Sequence, residues 1–232
     1  MKYRSIAIDG PSGAGKSTLA KSLAQELGFL YVDTGAIYRT VGLAVRNRGI
    51  DPSDAAGVTA VLPEMSITMG YGADGLQHMF LNGEDVTAAI RENEISTCAS
   101  KVASSPEVRA FLMEMQRKKA REHDVIMDGR DIGTVVLPQA DLKIFLTAAP
   151  EARAERRCRE LIERGQQADY DRILAEVIER DRRDTERAAA PLRQGSDAVL
   201  VDTTGLDLEG SLRVLMELVQ GRLRIGGGKS DE

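Results

Sequence analysis

The stretch Gly10-Pro11-Ser12-Gly13-Ala14-Gly15-Lys16-Ser17-Thr18 follows an apolar run, Ile6-Ala7-Ile8-Asp9, and leads into a helical pattern. Gly10, Gly15, Lys16 and Ser17 meet the pattern G-x-x-x-x-G-K-[ST], in which each part has a physical task. The glycines let the backbone curl until consecutive N–H groups converge on phosphate oxygens. A helix beginning near Lys16 aims its positive dipole end at the same anion. Lys16 can then reach β- and γ-phosphates, and the Ser17 hydroxyl is placed to ligate Mg²⁺. A glycine-rich turn without function is the competing reading. The strand before the loop and the helix after it are the setting that a phosphate-binding loop requires.

At 232 residues the chain can form one α/β domain with an insertion, or two small domains. Its net charge of −5 argues against a general nucleic-acid binder, whose footprint is a basic stripe, while leaving room for a local basic cleft. No apolar run approaches the roughly 18 residues of a membrane span, and a strand is entered by Tyr3 without a preceding hydrophobic segment. The expectation is a cytoplasmic protein with neither membrane nor nucleic acid among its partners. Cys98 and Cys158 stand far apart, without neighbours at metal-ligand spacing, and read as ordinary reduced thiols. His78 and His123 are isolated and read as non-catalytic.

Residues 3–9 alternate and then run apolar, as a central parallel strand does. Leu19, Ala20, Leu23, Ala24 and Leu27 recur at helical spacing, Gly28 closes that pattern, and Phe29 to Val32 form a second buried strand ending at Asp33. A right-handed βαβ unit is complete at that point. Thr34 is expected to cap a helix running to Arg48, with Ile37, Val41, Leu43 and Val45 on its apolar face. From Pro63 to Thr87 the pattern changes to short strands, Met65 to Met69 and Leu76 to Leu81, which predicts a small β insertion outside the main sheet. Helical spacing returns from Ile90 to Ala103 and from Pro106 to Glu122. Val125 to Asp128, Leu142 to Thr147 and Ala198 to Asp202 read as further strands. Helices are predicted over Pro150 to Arg164, Asp169 to Arg187 and Leu208 to Leu223.

The fold class is therefore α/β: a doubly wound, five-stranded parallel sheet holding its ligand at the carboxyl ends of the strands, with a β-rich insertion and a helical lid. We expect a single domain over 1–223, with its core at 1–62 and 105–223, the insertion at about 63–104 and the lid at about 150–187. Residues 224–232 read as a flexible tail.

Polar clusters follow the strand ends: Asp33-Thr34-Gly35-Ala36-Ile37-Tyr38-Arg39 and Asp128-Gly129-Arg130-Asp131-Ile132-Gly133-Thr134. Together with Ile8 to Lys16, Arg180-Asp181-Arg182-Arg183-Asp184, Arg187 and Ala190-Pro191-Leu192, these segments resemble the bacterial cytidylate kinases of the nucleoside monophosphate kinase superfamily of P-loop proteins. The resemblance runs from the first strand to the last helix. It implies ATP-dependent phosphorylation of CMP, and of dCMP, with Mg²⁺ as cofactor, by a monomer whose β insertion lengthens the monophosphate-binding region. At the donor side it implies ATP held by Gly10, Pro11, Ser12, Gly13, Ala14, Gly15, Lys16, Ser17 and Thr18. At the acceptor side the matching positions place the phosphate on Arg39, Arg130, Arg187 and the Thr34 hydroxyl, with Tyr38 in the same segment as Arg39. They place the base on Ser100, Arg109 and Asp131, and the sugar on Arg180 and Asp184.

Guanidinium forks suit a phosphate that must be fixed in line with the γ-phosphoryl group. A carboxylate at Asp131 accepts from the cytosine N4 amino group, whereas uracil presents its O4 acceptor to the same charge. Two positions depart from the family pattern: Thr34 stands where Ser is familiar, and Ser17 where Gly often follows the loop lysine. Both keep or add a hydroxyl, and Ser17 restores the metal ligand of the general loop.

The arginine-rich helices have a plainer reading, since Arg153, Arg156, Arg157 and Arg159 alternate with Glu151, Glu155 and Glu160 as solvated i,i+4 pairs do. Arg153 and Arg159 fit that description. Arg156 and Arg157, in the position of a lid, are expected to reach phosphate on closure. Asp33 and Asp128, beside the loop, are candidates for holding Mg²⁺-bound water or orienting ligands, against simple turn or cap roles. The catalytic candidates are thus Lys16, Arg156, Arg157, Asp33 and Asp128, and the metal candidate is Ser17. Rival readings are a kinase of this fold acting on UMP, AMP or shikimate, or a nucleotide-binding regulatory switch. The switch lacks an N-K-x-D segment, and the D-x-x-G stretches at Asp54 to Gly57 and Asp202 to Gly205 are too short to weigh.

Overall fold

A computed structural model describes residues 3–73 and 75–223 of the chain. Side-chain alternation divides the main sheet between two cores. β1 (Ser5–Asp9) sends Ile6 and Ile8 to one face and Ala7 to the other, all fully buried. β1 pairs with β6 (Val125–Gly129) and β7 (Leu142–Thr147); β2 (Leu30–Asp33) lies beyond β6, and β8 (Val199–Asp202) beyond β7. The order β2-β6-β1-β7-β8, parallel throughout, is the doubly wound sheet expected from the sequence.

On one face Ile6, Ile8, Ile126 and Ile144 share a core with Leu19 and Leu23 of α1 (Lys16–Leu27) and Leu215 and Val219 of α8 (Leu208–Leu223). On the other, Ala7, Val32 and Met127 pack with Ile37 and Val41 of α2 (Thr34–Asn47) and Val108 and Leu112 of α5 (Pro106–Glu122). Gly28 ends α1 in the left-handed region, as the sequence pattern requires.

Thr34 does not cap α2. β2 extends through Asp33, whose own carboxylate accepts from the Ala36 amide at 2.8 Å. Thr34 becomes the first helical residue and donates its hydroxyl to the Asp128 carbonyl at 2.7 Å, tying the end of β2 to the end of β6. A short helix that the apolar pattern did not announce, α3 (Ala55–Val61), begins at Asp54, whose side chain accepts from the Gly57 amide. The D-x-x-G stretch at 54–57 is this cap.

The insertion is an antiparallel sheet separate from the main one, formed by β3 (Ile67–Tyr71), β4 (Gln77–Leu81) and the two-residue β5 (Glu84–Asp85). β3 starts two residues later than the alternation predicted. Gln77 fastens this sheet to the site, its Oε1 accepting from the Asp33 amide at 2.8 Å and its Nε2 donating to the Asp33 carbonyl at 3.1 Å. α4 (Asn93–Val102) then crosses α2, and a single π-helical turn, Ile132–Val136, follows β6. α6 (Pro150–Glu163) and α7 (Tyr170–Glu186) pack on one another. The expected tail at 224–232 lies outside the described residues, among which no helix is long and apolar enough to cross a membrane.

Gly42 sets the approach of α2 to α4: a Cβ there would lie 3.0 Å from the Ala99 amide nitrogen and 3.2 Å from the Cys98 Cβ. Overpacking of this kind costs about 1–3 kcal/mol. Gly42→Val should lose about that much in urea unfolding, in the upper half of the range because main chain is the obstacle. An unchanged midpoint would show that the helices can move apart freely.

Candidate active site

The strand register brings three carboxylates to one edge of the sheet: Asp9 stands opposite Gly129, and Asp33 opposite Asp128. From Asp9 the chain turns into the phosphate loop. Gly10 adopts φ +149°, and a Cβ there would fall 1.9 Å from the Leu146 carbonyl oxygen, so only glycine fits. Gly13 and Gly15 follow with positive φ, and α1 starts at Lys16 with Gly15 as its cap. Pro11, Ser12, Ala14 and Thr18 complete the stretch, with Ala14 buried under it.

Lys16 is buried, and its Nζ donates to the Pro11 carbonyl at 2.7 Å. Burial, and then the neighbouring Arg130 charge, lower its pKa well below the usual lysine value. Ser17 Oγ donates to Asp128 Oδ2 at 2.8 Å, and the Tyr31 hydroxyl to Asp128 Oδ1 at 3.0 Å. Burial foremost, and then the Asp33 charge, push the Asp128 carboxyl up to about 6. Asp33, besides capping α2, receives Arg39 Nη2 at 2.8 Å.

This donor set suits a hard divalent cation. Mg²⁺ is usually bound through one or two carboxylates plus substrate phosphates, and one hydroxyl with one buried carboxylate beside the loop matches that demand. Among the described residues no cluster of three or more His, Cys, Asp or Glu could form an all-protein metal cage.

A second cluster, of the residues expected to bind the acceptor, is built from paired charges. Arg109 and Arg187 both donate to Asp131, Arg187 through Nη2 at 3.3 Å, and all three side chains are almost fully buried. Burial raises the Asp131 pKa, and the two arginines oppose that rise. Arg130 Nε donates to Asp184 at 2.8 Å; burial alone would raise that carboxyl, but Arg130 and Arg180 hold it below the ordinary value. Arg109 also stands over the Tyr38 ring, 5.7 Å from its centroid. Ser100 is half-buried on α4.

Arg39 and Arg180 each keep a buried Nε without a hydrogen-bond partner among the described residues. Arg180 is pressed by burial and by the charges of Arg130 and Arg39, which bring its pKa down to about 10. A group of guanidinium ions that repel one another, with donors to spare, is a site for an anion.

The arginines of α6 change places relative to the sequence expectation. Arg153, expected on a solvated face, is only 2% exposed and grips the loop itself: Nη1 donates to the Ser12 carbonyl at 3.0 Å and Nε to the Ala148 carbonyl at 2.8 Å. Asp181 of α7 holds the same guanidinium through both oxygens. The alternating charges hid this, because what buries Arg153 is its partners from distant parts of the chain, Ser12 and Asp181, and not its neighbours on α6. Arg156 donates to the Thr203 carbonyl at 2.6 Å, beyond β8, and Arg157 pairs with Glu160 on its own helix. Neither of these bonds reaches the phosphate loop or the second cluster of arginines. Tyr31, Gln77 and Asp181 were given no role from the sequence. Tyr31, two residues before Asp33 in a buried strand, and Asp181, inside the segment Arg180 to Asp184, carried a positional signal; Gln77 did not.

A phosphate-binding loop and a cluster of buried arginines gathered at the carboxyl edge of one parallel sheet are the marks of a P-loop phosphotransferase. The cytidylate kinase family model matches residues 6–221, and the chain belongs to that family. A cytidylate kinase of an Exiguobacterium species is 47% identical over 219 residues, covering 94% of this chain and 97% of its own. That of Caldicellulosiruptor bescii is 50% identical over 218 residues, covering 94% and 96%. The crystal structure of an uncharacterized protein from Eubacterium ventriosum shares the fold, with a TM-score of 0.52 at 14% identity over 94% of this chain and 99% of its own.

Asp128 binds its proton more tightly in the folded state than in the unfolded chain, because its pKa rises from 3.8 to about 6. Its contribution to stability is present at low pH and is lost as pH rises through that window, from about 4 to 6. Stability curves of wild type and Asp128→Asn should therefore diverge in favour of the variant between pH 4 and 6. Curves that stay parallel would mean that the carboxyl titrates normally.

Proposed function

We propose that the chain transfers the γ-phosphoryl group of ATP to CMP and to dCMP, with Mg²⁺, as a monomeric cytoplasmic enzyme. CMP as acceptor and ATP as donor follow from membership of the cytidylate kinase family. The observation that carries the two-site reading is that Arg39 and Arg180, on α2 and α7 rather than in the loop of Lys16, each bury an Nε donor with no partner among the described residues. Extension to dCMP is part of the same reading, in which Arg39, Arg109, Arg130 and Arg187 are given to base and phosphate and only Arg180 to the sugar.

In this reading Lys16 leaves the Pro11 carbonyl and takes up the β- and γ-phosphates, and the loop amides share their charge. Ser17 and Asp128 would hold Mg²⁺, which when bound neutralises charge on the transferring group. Arg39, Arg130 and Arg187 fix the CMP phosphate, with Thr34 and Tyr38 shaping that side. Asp131 accepts from cytosine N4, Arg109 and Ser100 flank the base, and Arg180 with Asp184 meet the sugar. Phosphate competes with Asp33 and Asp184 for Arg39 and Arg130, so the bound acceptor replaces ion pairs already made rather than ordering free side chains. The α6–α7 pair acts as a lid over 150–187, excluding water as rival acceptor. Arg156 and Arg157 act there only if closure carries them off their present partners.

Lys16→Ala should lower turnover by about 10²-fold or more with the fold intact, on the scale of losing one oxyanion donor; near-normal turnover contradicts the loop assignment. Asp131→Asn should erode the CMP to UMP ratio of kcat/KM, because an amide donates as well as accepts. An unchanged ratio puts base reading elsewhere. Arg187→Ala should raise the CMP requirement while leaving ATP binding nearly intact, and equal damage to both contradicts its acceptor role.

A further inference from the structure

The last residue of β1 has no part in the mechanism above, although it is a carboxylate only 5% exposed at the centre of the site. Both Asp9 oxygens are spoken for: Oδ1 accepts from the Ile132 amide at 2.7 Å and Oδ2 from the Gly133 amide at 2.8 Å. These amides open the π-helical turn that follows β6, where a helical turn has no internal acceptors of its own. A carboxylate gives each amide an oxygen of its own, whereas a Ser or Thr cap would have to share one hydroxyl oxygen between them.

Asp131 immediately precedes that pair of amides, in an irregular conformation of φ −149° and ψ 26°. Its carbonyl is held by the Val135 amide at 2.9 Å and the Val136 amide at 3.2 Å. With the next two amides fixed by Asp9, the main chain of Asp131 is clamped on its downstream side. On its upstream side Gly129 and Asp128 are locked in the sheet beside Asp9 and Ile8. The close fit also accounts for Gly133, where a Cβ would meet the Lys143 side chain at 3.1 Å and Asp9 Oδ2 at 3.4 Å.

We propose that Asp9 is a positioning residue for base recognition: by holding the Ile132 and Gly133 amides it fixes the Asp131 carboxylate at the place where it distinguishes cytosine from uracil. The proposal rests on the reading of Asp131 as the base-reading group. Burial of the carboxylate raises the Asp9 pKa to about 6 against the pull of the two amides, so the arrangement is kept at a cost that an uncharged cap would avoid. Asp9 is also bonded directly to Gly10, so the residue from which the donor loop departs is the one that braces the base reader.

The test is steady-state kinetics of Asp9→Asn with CMP and UMP, beside Asp131→Asn and wild type, each with ATP varied separately. Asp9→Asn turns one of its two acceptors into a donor, and loss of a charge-assisted bond of this kind corresponds to about tenfold. We expect KM for CMP to rise about tenfold and the CMP to UMP ratio of kcat/KM to fall about as much, with KM for ATP within about twofold. If Asp131→Asn shifts the ratio and Asp9→Asn does not, or if Asp9→Asn raises both KM values equally, Asp9 is merely structural and the proposal is overturned. If Asp131→Asn itself leaves the ratio unchanged, the base-reading assignment falls and this proposal with it. Amide hydrogen exchange in the unaltered protein provides a check independent of how the variant folds: slow exchange at Ile132 and Gly133 supports the brace, and fast exchange there overturns it.

Discussion

Arginine cannot give up its charge, so each guanidinium buried in this protein must find an anion. The carboxyl edge of the sheet gathers Arg39, Arg109, Arg130, Arg180 and Arg187, and supplies Asp33, Asp131 and Asp184 in partial compensation. The balance is incomplete in one direction: the Nε donors of Arg39 and Arg180 have no partner among the described residues, and Lys16 turns back on a main-chain carbonyl. Folding alone therefore leaves a region of unmet positive charge within a chain whose net charge is −5. In the proposed function phosphates meet that demand, so that substrate binding and the electrostatics of the fold are one problem.

The sheet makes this arrangement affordable. Parallel register lines up Asp9, Asp33 and Asp128, while two apolar cores fix the strands from both faces. Cross-links between strand ends then determine where side chains point: Thr34 to the Asp128 carbonyl, Gln77 to Asp33, Ser17 and Tyr31 to Asp128, and Arg153 to Ser12. None of these bonds is long-range in space, yet Arg153 and Ser12 lie 141 positions apart in the chain. The insertion takes part through Gln77 and through the Tyr71 hydroxyl, which donates to the Tyr31 carbonyl at 3.0 Å.

The sheet and its long helices were legible because their information is local. Alternation at Ile6, Ala7 and Ile8, and the helical spacing from Leu19 to Leu27, act over distances that the sequence displays directly. So was the loop, whose glycines answer to backbone conformation alone. What sequence spacing could not show was which charge finds which partner. Arg153 and Arg156 sit three apart on one helix, with similar neighbours, and only the fold decides that the first reaches the loop and the second the segment after β8. The cap of α2 was misjudged by one residue for a related reason. Asp33 and Thr34 are both good caps, and the strand's length, set by pairing with β6, chose between them. α3, with Val58 as its one buried residue, has too little apolar face to produce a pattern.

The most direct measurement is calorimetric titration of the unaltered protein, without donor nucleotide, with CMP, cytidine and UMP in turn. Unpaired guanidinium donors and a base-reading carboxylate predict that CMP binds at least about tenfold more tightly than either of the others, since cytidine lacks the phosphate and UMP the N4 donor. Equal affinity for CMP and UMP, or for CMP and cytidine, would contradict the account.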